Sequence, residues 1–471
     1  MIGLFVKFFP YLLVLYFLYR SYREPVFMLG IPFLMFLGPA VFFDQVVLFQ
    51  IPFRSFDSIS QNQDIFLFVW LIIFWIIFRI RSESYPTEMM KNHLPEKRLN
   101  IYDYLVISLV IVTIIGFVMV LNEYYLLDKV YDKFIVLLSM FFGFFIFKDI
   151  VYRIEPEVLH KFLYSIVIIN SMASGLYFIH QGLHIEIYQG VEYLTTIFQG
   201  ATITRTFWFS PPLWGFSIAY LLIFRKDRSF VFIALLAINL LAIYISYTRS
   251  TLVANVFLIV LFFILNGLKN GDYSSVLKNL IIISVAGIAL FWAISNFMPA
   301  STNYFLSRFK ELKEQPADKQ SNNLVYRFFK TDMVIKKMNT ERDLFGYGPV
   351  TERQLQYVKV VDIASADMGW AEVIFRWGYL GLALFIILFV TSLIKSFFLF
   401  LRTEGIVSQL SLLILLSIIS LIIEGFTSFS IMAPNRFAFG LWYLGILSAL
   451  LIYKKSGTNA NESVVLETEI N

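Results

Sequence analysis

This sequence predicts an all-α, polytopic transmembrane protein, and three observations carry the prediction. Of its 471 residues, 58% are hydrophobic and only 15% charged, whereas a water-soluble domain carries roughly a quarter charged residues. Apolar runs long enough to cross a bilayer, about 20 residues, recur along almost the whole chain. Those runs are continuously apolar rather than alternating, which excludes a transmembrane barrel.

In chain order the runs place spans at 3–19, 25–45, 63–80, 101–121, 132–150, 160–179, 209–224, 230–247, 251–266, 279–297, 371–394, 408–425 and 437–453. The first has one early lysine and no small-residue cleavage site, so it reads as a retained span and not a removed signal peptide. Pro211-Pro212 opens the span at 209–224. Thirteen crossings put the N-terminus outside; twelve, with one of the first two segments re-entrant, is the alternative. The organisation is then N-terminal helices over 1–200, helices with arginine-bearing turns over 201–297, a large loop at 298–368, C-terminal helices over 369–453 and a polar tail at 454–471.

Orientation follows from the basic residues of the short loops. Arg79, Arg81, Lys91, Lys97 and Arg98 share one loop, Lys148, Arg153 and Lys161 another, and Arg225, Lys226 and Arg228 a third. Lys269 and Lys278, Lys395 and Arg402, then Lys454 and Lys455 continue the series on every second connection. These connections face the cytoplasm. Residues 122–131, 180–208 and 298–368 face outward. Because the basic residues cluster this way, the net charge of +5 is no sign of nucleic-acid binding. The chain has no cysteine, so disulfide and thiol chemistry are excluded.

The loop at 298–368 holds eleven basic and nine acidic residues. Long loops escape the positive-inside rule, so its charge does not upset the topology. Within it Leu324, Val325, Phe328, Phe329, Ile335 and Met338 form an apolar face at helical spacing. Arg327, Lys330 and Lys337 fall on another face. Such a helix lies along the bilayer surface with its basic stripe towards lipid head groups. Gly346-Tyr347-Gly348-Pro349 then stops it.

Few side chains here suit chemistry. Arg249 lies in Ser246-Tyr247-Thr248-Arg249-Ser250, an outward turn between two apolar spans. It is either an arginine snorkelling to the interface or an anion ligand, since a guanidinium fork matches phosphate oxygens. Arg205, in Thr204-Arg205-Thr206-Phe207-Trp208, either decorates an aromatic belt or faces the same ligand. For Arg327 the plain alternative is a solvated face. Gly346 and Gly348 suit a turn better than a phosphate cradle. Asp367 either caps the helix that follows or takes a proton from a sugar hydroxyl as a general base. Glu372, Arg376 and Glu424 fall in or near apolar spans and need partners, so a structural Arg376–Glu372 or Arg376–Glu424 pair is expected. The four histidines (His93, His160, His180 and His184) are scattered, no carboxylates join them at metal-ligand spacing, and neither a metal nor a cofactor is expected.

The order of these elements resembles the O-antigen ligase and polymerase superfamily, which includes Wzy-type repeat-unit polymerases. The resemblance covers about residues 200–395. It rests on Arg205, the S-x-[ST]-R turn Ser246 to Arg249, Arg327 ahead of the G-x-G-P turn Gly346 to Pro349, and Asp367-Met368 followed after nine residues by Gly378-Tyr379-Leu380-Gly381. It implies a GT-C-like fold and a metal-independent glycosyltransferase in the bacterial cytoplasmic (inner) membrane, with its site on the extracytoplasmic face. The implied substrate is a glycan on undecaprenyl pyrophosphate, for O-antigen, capsule or another exopolysaccharide. The implied roles are pyrophosphate binding by Arg205, Arg249 and Arg327, a base at Asp367, and support from Ser246, Gly346, Gly348, Glu372, Gly378 and Gly381. A chain-length regulator and a flippase are implied partners, beside bilayer lipid.

Asp367 stands where the ligases keep histidine, which favours polymerisation over ligation to lipid A core or protein. A flippase or exporter of lipid-linked sugar is the alternative from another class. Such transporters carry charges at the bilayer midplane and internal repeats; here the arginines sit at the outer face and no repeat is evident.

Overall fold

The computed structural model describes parts of 12–30 and 72–80, then 99–124, 127–183, 192–198, 201–206, 211–224, 230–297, 302–307, 343–348, 369–427 and 440–452, with isolated residues at 185, 299, 332, 335 and 336. From residue 101 onward the main helices of this set are α1 Ile101–Tyr124, α2 Leu127–Arg153, α3 Pro156–Tyr177, α4 Pro211–Ile223, α5 Phe230–Ile245, α6 Arg249–Asn270, α7 Tyr273–Phe297, α8 Gly369–Arg402, α9 Gly405–Thr427 and α10 Gly440–Ile452. Bilayer interiors supply no water to backbone groups, so each apolar run closes its hydrogen bonds within its own helix. Among the described residues six helices are long and apolar enough to cross a membrane, and α4, α5 and α10 are shorter apolar helices. The protein is a multi-pass helical membrane protein. The spans expected at 3–19, 25–45 and 63–80 fall largely outside the described residues.

Between α3 and α4 the chain departs from helix. A π-helical turn, Phe178–Gly182, extends α3, and an antiparallel hairpin follows, β1 Glu192–Phe198 with β2 Ala201–Thr206. The sequence predicted an outward loop over 180–208; the β-branched runs Thr195–Ile197 and Thr202–Thr204 form strands instead. The all-α class stands, with this hairpin as the exception among the described residues.

Successive helices run antiparallel, so the bundle has two ends: an upper one, where α6 and α8 begin, and a lower one, where they finish. At the centre α9 packs against α8, α6, α4 and α3, while α1 packs against α8 and α2. Polar side chains join the helices where apolar packing alone has no driving force in lipid. Asn170 of α3 donates to Ser217 of α4 (2.9 Å) and to Asn239 of α5 (3.3 Å). Asn239 donates back to Ser171 (2.7 Å), and the Trp214 indole donates to Ser174 (2.9 Å). By contrast α7 packs mainly against α6, with Phe291 also meeting Tyr244 of α5 edge-on, and much of its described surface is exposed, Ile288 and Trp292 each 70%.

Charge collects at the lower end. Buried Lys148 pairs with buried Asp103, which also accepts the Asn100 N–H (2.6 Å). Asp149, next along α2, accepts from the Trp75 indole (2.9 Å) and from Arg79 (3.0 Å). Lys269 closes the end of α8 by donating to the carbonyls of Phe400 (2.8 Å) and Thr403 (2.7 Å). Asp272 caps α7, accepting from the Ser275 N–H (3.0 Å) and the Ser274 hydroxyl (2.9 Å); these bonds hold its carboxyl below the usual carboxylate range.

Candidate active site

Three of the sequence-selected features meet the upper end. The first is the Ser246–Arg249 turn. The Ser246 hydroxyl donates to the Ile243 carbonyl (2.7 Å) and accepts the Thr248 N–H (3.2 Å). Between them Tyr247 takes a left-handed φ of 51°, rare for a bulky side chain and costing on the order of 1–3 kcal/mol. Packing maintains it: the Tyr247 ring is buried and meets Tyr304 edge-on at 5.2 Å. One turn back, the Tyr244 hydroxyl shares a hydrogen bond with Thr302 (2.7 Å). Residues 302–307 of the large loop therefore dock on this turn.

The tight turn lets α6 begin at Arg249 itself, earlier than the 251 expected. Thr248, at the N-cap position, makes no side-chain cap bond. A half-buried guanidinium and the positive end of a helix dipole thus coincide, and both favour an anion.

The second feature is a break in α8. Gly378 has φ 64° and ψ −166° inside an otherwise continuous helix. The break frees backbone groups on both sides, and the loop turn at 343–348 takes them up. Tyr347 N–H donates to the Phe375 carbonyl (2.8 Å) and Gly348 N–H to the Arg376 carbonyl (3.0 Å). In return the N–H groups of Tyr379 and Leu380 donate to the carbonyls of Asp343 (2.8 Å) and Leu344 (3.2 Å). Four backbone bonds thus replace those that the helix lost.

So close an approach requires glycine. Gly346 and Gly348 have φ of 71° and 69°. A Cβ on Gly346 would lie 2.6 Å from the Phe375 oxygen and from the Gly378 nitrogen; one on Gly348 would lie 2.5 Å from the Gly116 oxygen of α1. A Cβ on Gly378 would run into the Leu344 carbonyl, and one on Gly381 into Trp377. The Trp377 indole donates to Thr113 (2.8 Å), which ties the break to α1 a second time.

The third feature is an ion pair on the short helical segment above the break. Arg376 donates through Nε (2.9 Å) and Nη2 (2.8 Å) to one oxygen, Oε1 of Glu372. Of the two pairings expected for Arg376, the one with Glu372 forms; Glu424 is buried on α9.

Arg249, Ser246, Gly346, Gly348, Glu372, Gly378 and Gly381 are thus all described. Arg205 lies on β2 opposite Leu194, with its backbone alone described. Arg327 and Asp367 lie outside the described residues, as do the surface helix expected around Leu324–Met338 and its basic stripe. Among the described residues no three His, Cys, Asp or Glu side chains come together in a way that could hold a metal ion. The G-x-G turn has a use that sequence reasoning missed: it splices a broken helix. Gly116 was missed altogether, because one glycine in an apolar span carries no signal of what approaches it.

Residues 233–386 match the family model described as O-antigen ligase. The match takes in α5, α6, α7, the large loop and the first half of α8, and so contains the turn, the splice and the ion pair. It supports the O-antigen ligase and polymerase superfamily for this chain, and with it glycan transfer of that type in a membrane. No curated protein matches the chain.

Proposed function

We propose that this chain, with its O-antigen ligase-type segment, polymerises lipid-linked oligosaccharide repeat units on the outer face of the bacterial inner membrane. It moves the growing glycan from undecaprenyl pyrophosphate onto the next lipid-linked unit, for O-antigen, capsule or another exopolysaccharide. What favours polymerisation over ligation is Asp367, which stands at the position of the ligases' histidine ahead of the intact Gly378–Gly381 pair.

In the reaction an acceptor hydroxyl attacks the anomeric carbon of the donor's reducing-end sugar. The carbon–oxygen bond to pyrophosphate breaks, and undecaprenyl pyrophosphate leaves with the electron pair. Asp367 takes the hydroxyl proton. Arg249, with Arg205 and Arg327, stabilises the charge that grows on the leaving pyrophosphate, so neither metal nor cofactor is required. The α6 N-terminus adds its dipole to Arg249. Supply by a flippase and control by a chain-length regulator complete the scheme.

Two measurements test this. Full-length protein in nanodiscs, given lipid-linked repeat units extracted from producing cells, should yield a ladder of lipid-linked polymer; transfer only to added lipid A core would establish ligation instead. In intact cells, an impermeant thiol reagent should label Gln320→Cys and leave Met90→Cys untouched in this cysteine-free chain. The reverse pattern would put the site on the wrong face.

A further inference from the structure

We propose that the Glu372–Arg376 pair is a binding site for neighbouring sugar hydroxyls of the glycan being transferred. The proposal rests on the glycan-transfer reading and names the part of the substrate that the pyrophosphate-binding arginines do not account for.

The geometry of the pair points to it. Both bonds from Arg376 converge on Glu372 Oε1. Oε2 of Glu372 and the Nη1 amino group of Arg376 make no hydrogen bond among the described residues. The pair therefore carries one uncommitted acceptor oxygen and, across the guanidinium, one uncommitted donor nitrogen, on side chains 22% and 18% exposed. A vicinal diol answers that pattern, one hydroxyl donating to Oε2 while the other accepts from Nη1. Charge argues the same way. Glu372 neutralises Arg376, so the pair offers little net attraction to a pyrophosphate, and it can exchange hydrogen bonds with an uncharged ring.

Placement argues it independently. A structural i,i+4 pair needs no special backbone. This one sits on a segment cut from the rest of α8 at Gly378, and the Arg376 carbonyl is held by Gly348 N–H (3.0 Å). Gly348 in turn leaves no room for a Cβ against α1. Broken helices in membrane proteins are tolerated where protein or a cavity satisfies the freed groups, and they commonly carry substrate sites. The splice fixes the height and rotation of Glu372 and Arg376 to within the reach of a hydrogen bond, which a pair with no ligand does not require.

The test uses full-length protein in phosphatidylcholine nanodiscs and two soluble probes. One is the free repeat-unit oligosaccharide, hydrolysed from the producing cell's lipid-linked pool; the other is inorganic pyrophosphate. Binding is read as thermal stabilisation for wild type, Arg376→Gln and the double exchange Glu372→Arg/Arg376→Glu. The exchange keeps an i,i+4 ion pair, so it should keep folding and the pyrophosphate response. Its response to the oligosaccharide should weaken about tenfold or more, as expected for lost hydrogen bonds to charged groups; Arg376→Gln should do the same. Undiminished oligosaccharide binding by the exchanged protein would overturn the proposal, as would a wild type indifferent to the oligosaccharide. So would loss of the pyrophosphate response alone, which would assign the pair to the diphosphate. Because binding is read without turnover, failure here is distinct from failure of the polymer assay. A higher KM for the lipid-linked acceptor alone, or for the donor alone, then tells which glycan the pair holds.

Discussion

Tyr347 contacts Phe375 twice: its N–H donates to the Phe375 carbonyl at 2.8 Å, and the two rings stack with centroids 4.9 Å apart. A loop residue is thereby fixed to a membrane helix three residues before that helix breaks.

The splice at this point should be far less tolerant than an ordinary left-handed glycine. Gly271 has φ 68° with nothing within 4 Å of an added Cβ. Gly271→Ala should therefore cost only the left-handed strain, about 1–2 kcal/mol. Gly378, at φ 64° and ψ −166°, lies in a region essentially reserved for glycine, so Gly378→Ala bears a larger strain and also drives a methyl into the Leu344 carbonyl. It should lower melting temperature and polymer yield well beyond Gly271→Ala. Equal effects in the two variants would mean that neither the special backbone of Gly378 nor the approach of loop to helix contributes.

The arginine assignments separate charge from shape. If Arg249 and Arg327 grip a pyrophosphate, Arg249→Lys and Arg327→Ala should accumulate normally yet lose polymer. Lysine supplies a point charge without the bidentate fork. A lost contact to a developing anion costs roughly 2.7–4 kcal/mol, a hundredfold or more in rate. A normal ladder from Arg249→Lys cells would refute its role.

For Asp367 the informative change is Asp367→Asn. Asparagine caps a helix about as well as aspartate but accepts no proton. If Asp367 is the base, donor should still bind while extension slows by roughly a hundredfold or more. A gel of lipid-linked products decides between this and a mere cap, for which the ladder would be unchanged.

At the opposite end of the bundle, the buried Lys148–Asp103 pair predicts a stability effect without a catalytic one. Lys148→Ala leaves a buried carboxylate with the Asn100 N–H but without its counter-charge, a loss of about 3–5 kcal/mol. The variant should melt earlier and accumulate poorly, and Asp103→Asn in the same chain should recover part of that loss. The protein that does insert should retain its rate per molecule.

The spans from residue 101 onward were legible because lipid enforces one solution on every long apolar run. Helices at 101–124, 273–297 and 405–427 lie within a few residues of the runs that predicted them, apart from the lower end of α7, which reaches back through Ser274 and Ser275, while α8 runs past its expected end through the apolar Phe397–Leu401. The Glu372–Arg376 pair was legible too, since charges in apolar surroundings must find partners. The break at Gly378 was not. Glycine in an apolar helix is compatible with plain continuity, and only the four bonds from a loop some thirty residues upstream make discontinuity favourable. The left-handed Tyr247 was hidden for the same reason: burial against Tyr304 sustains it, and nothing in Ser246-Tyr247-Thr248 announces that contact.

Gly116 lies on α1, outside the stretch 233–386 that resembles the O-antigen ligases, yet its backbone is the floor on which Gly348 rests. The matched stretch is therefore not a portable cassette. Grafted onto another protein's N-terminal helices, residues 233–386 would bring their turn, their broken helix and their charges, and would find a side chain where this protein keeps a bare backbone.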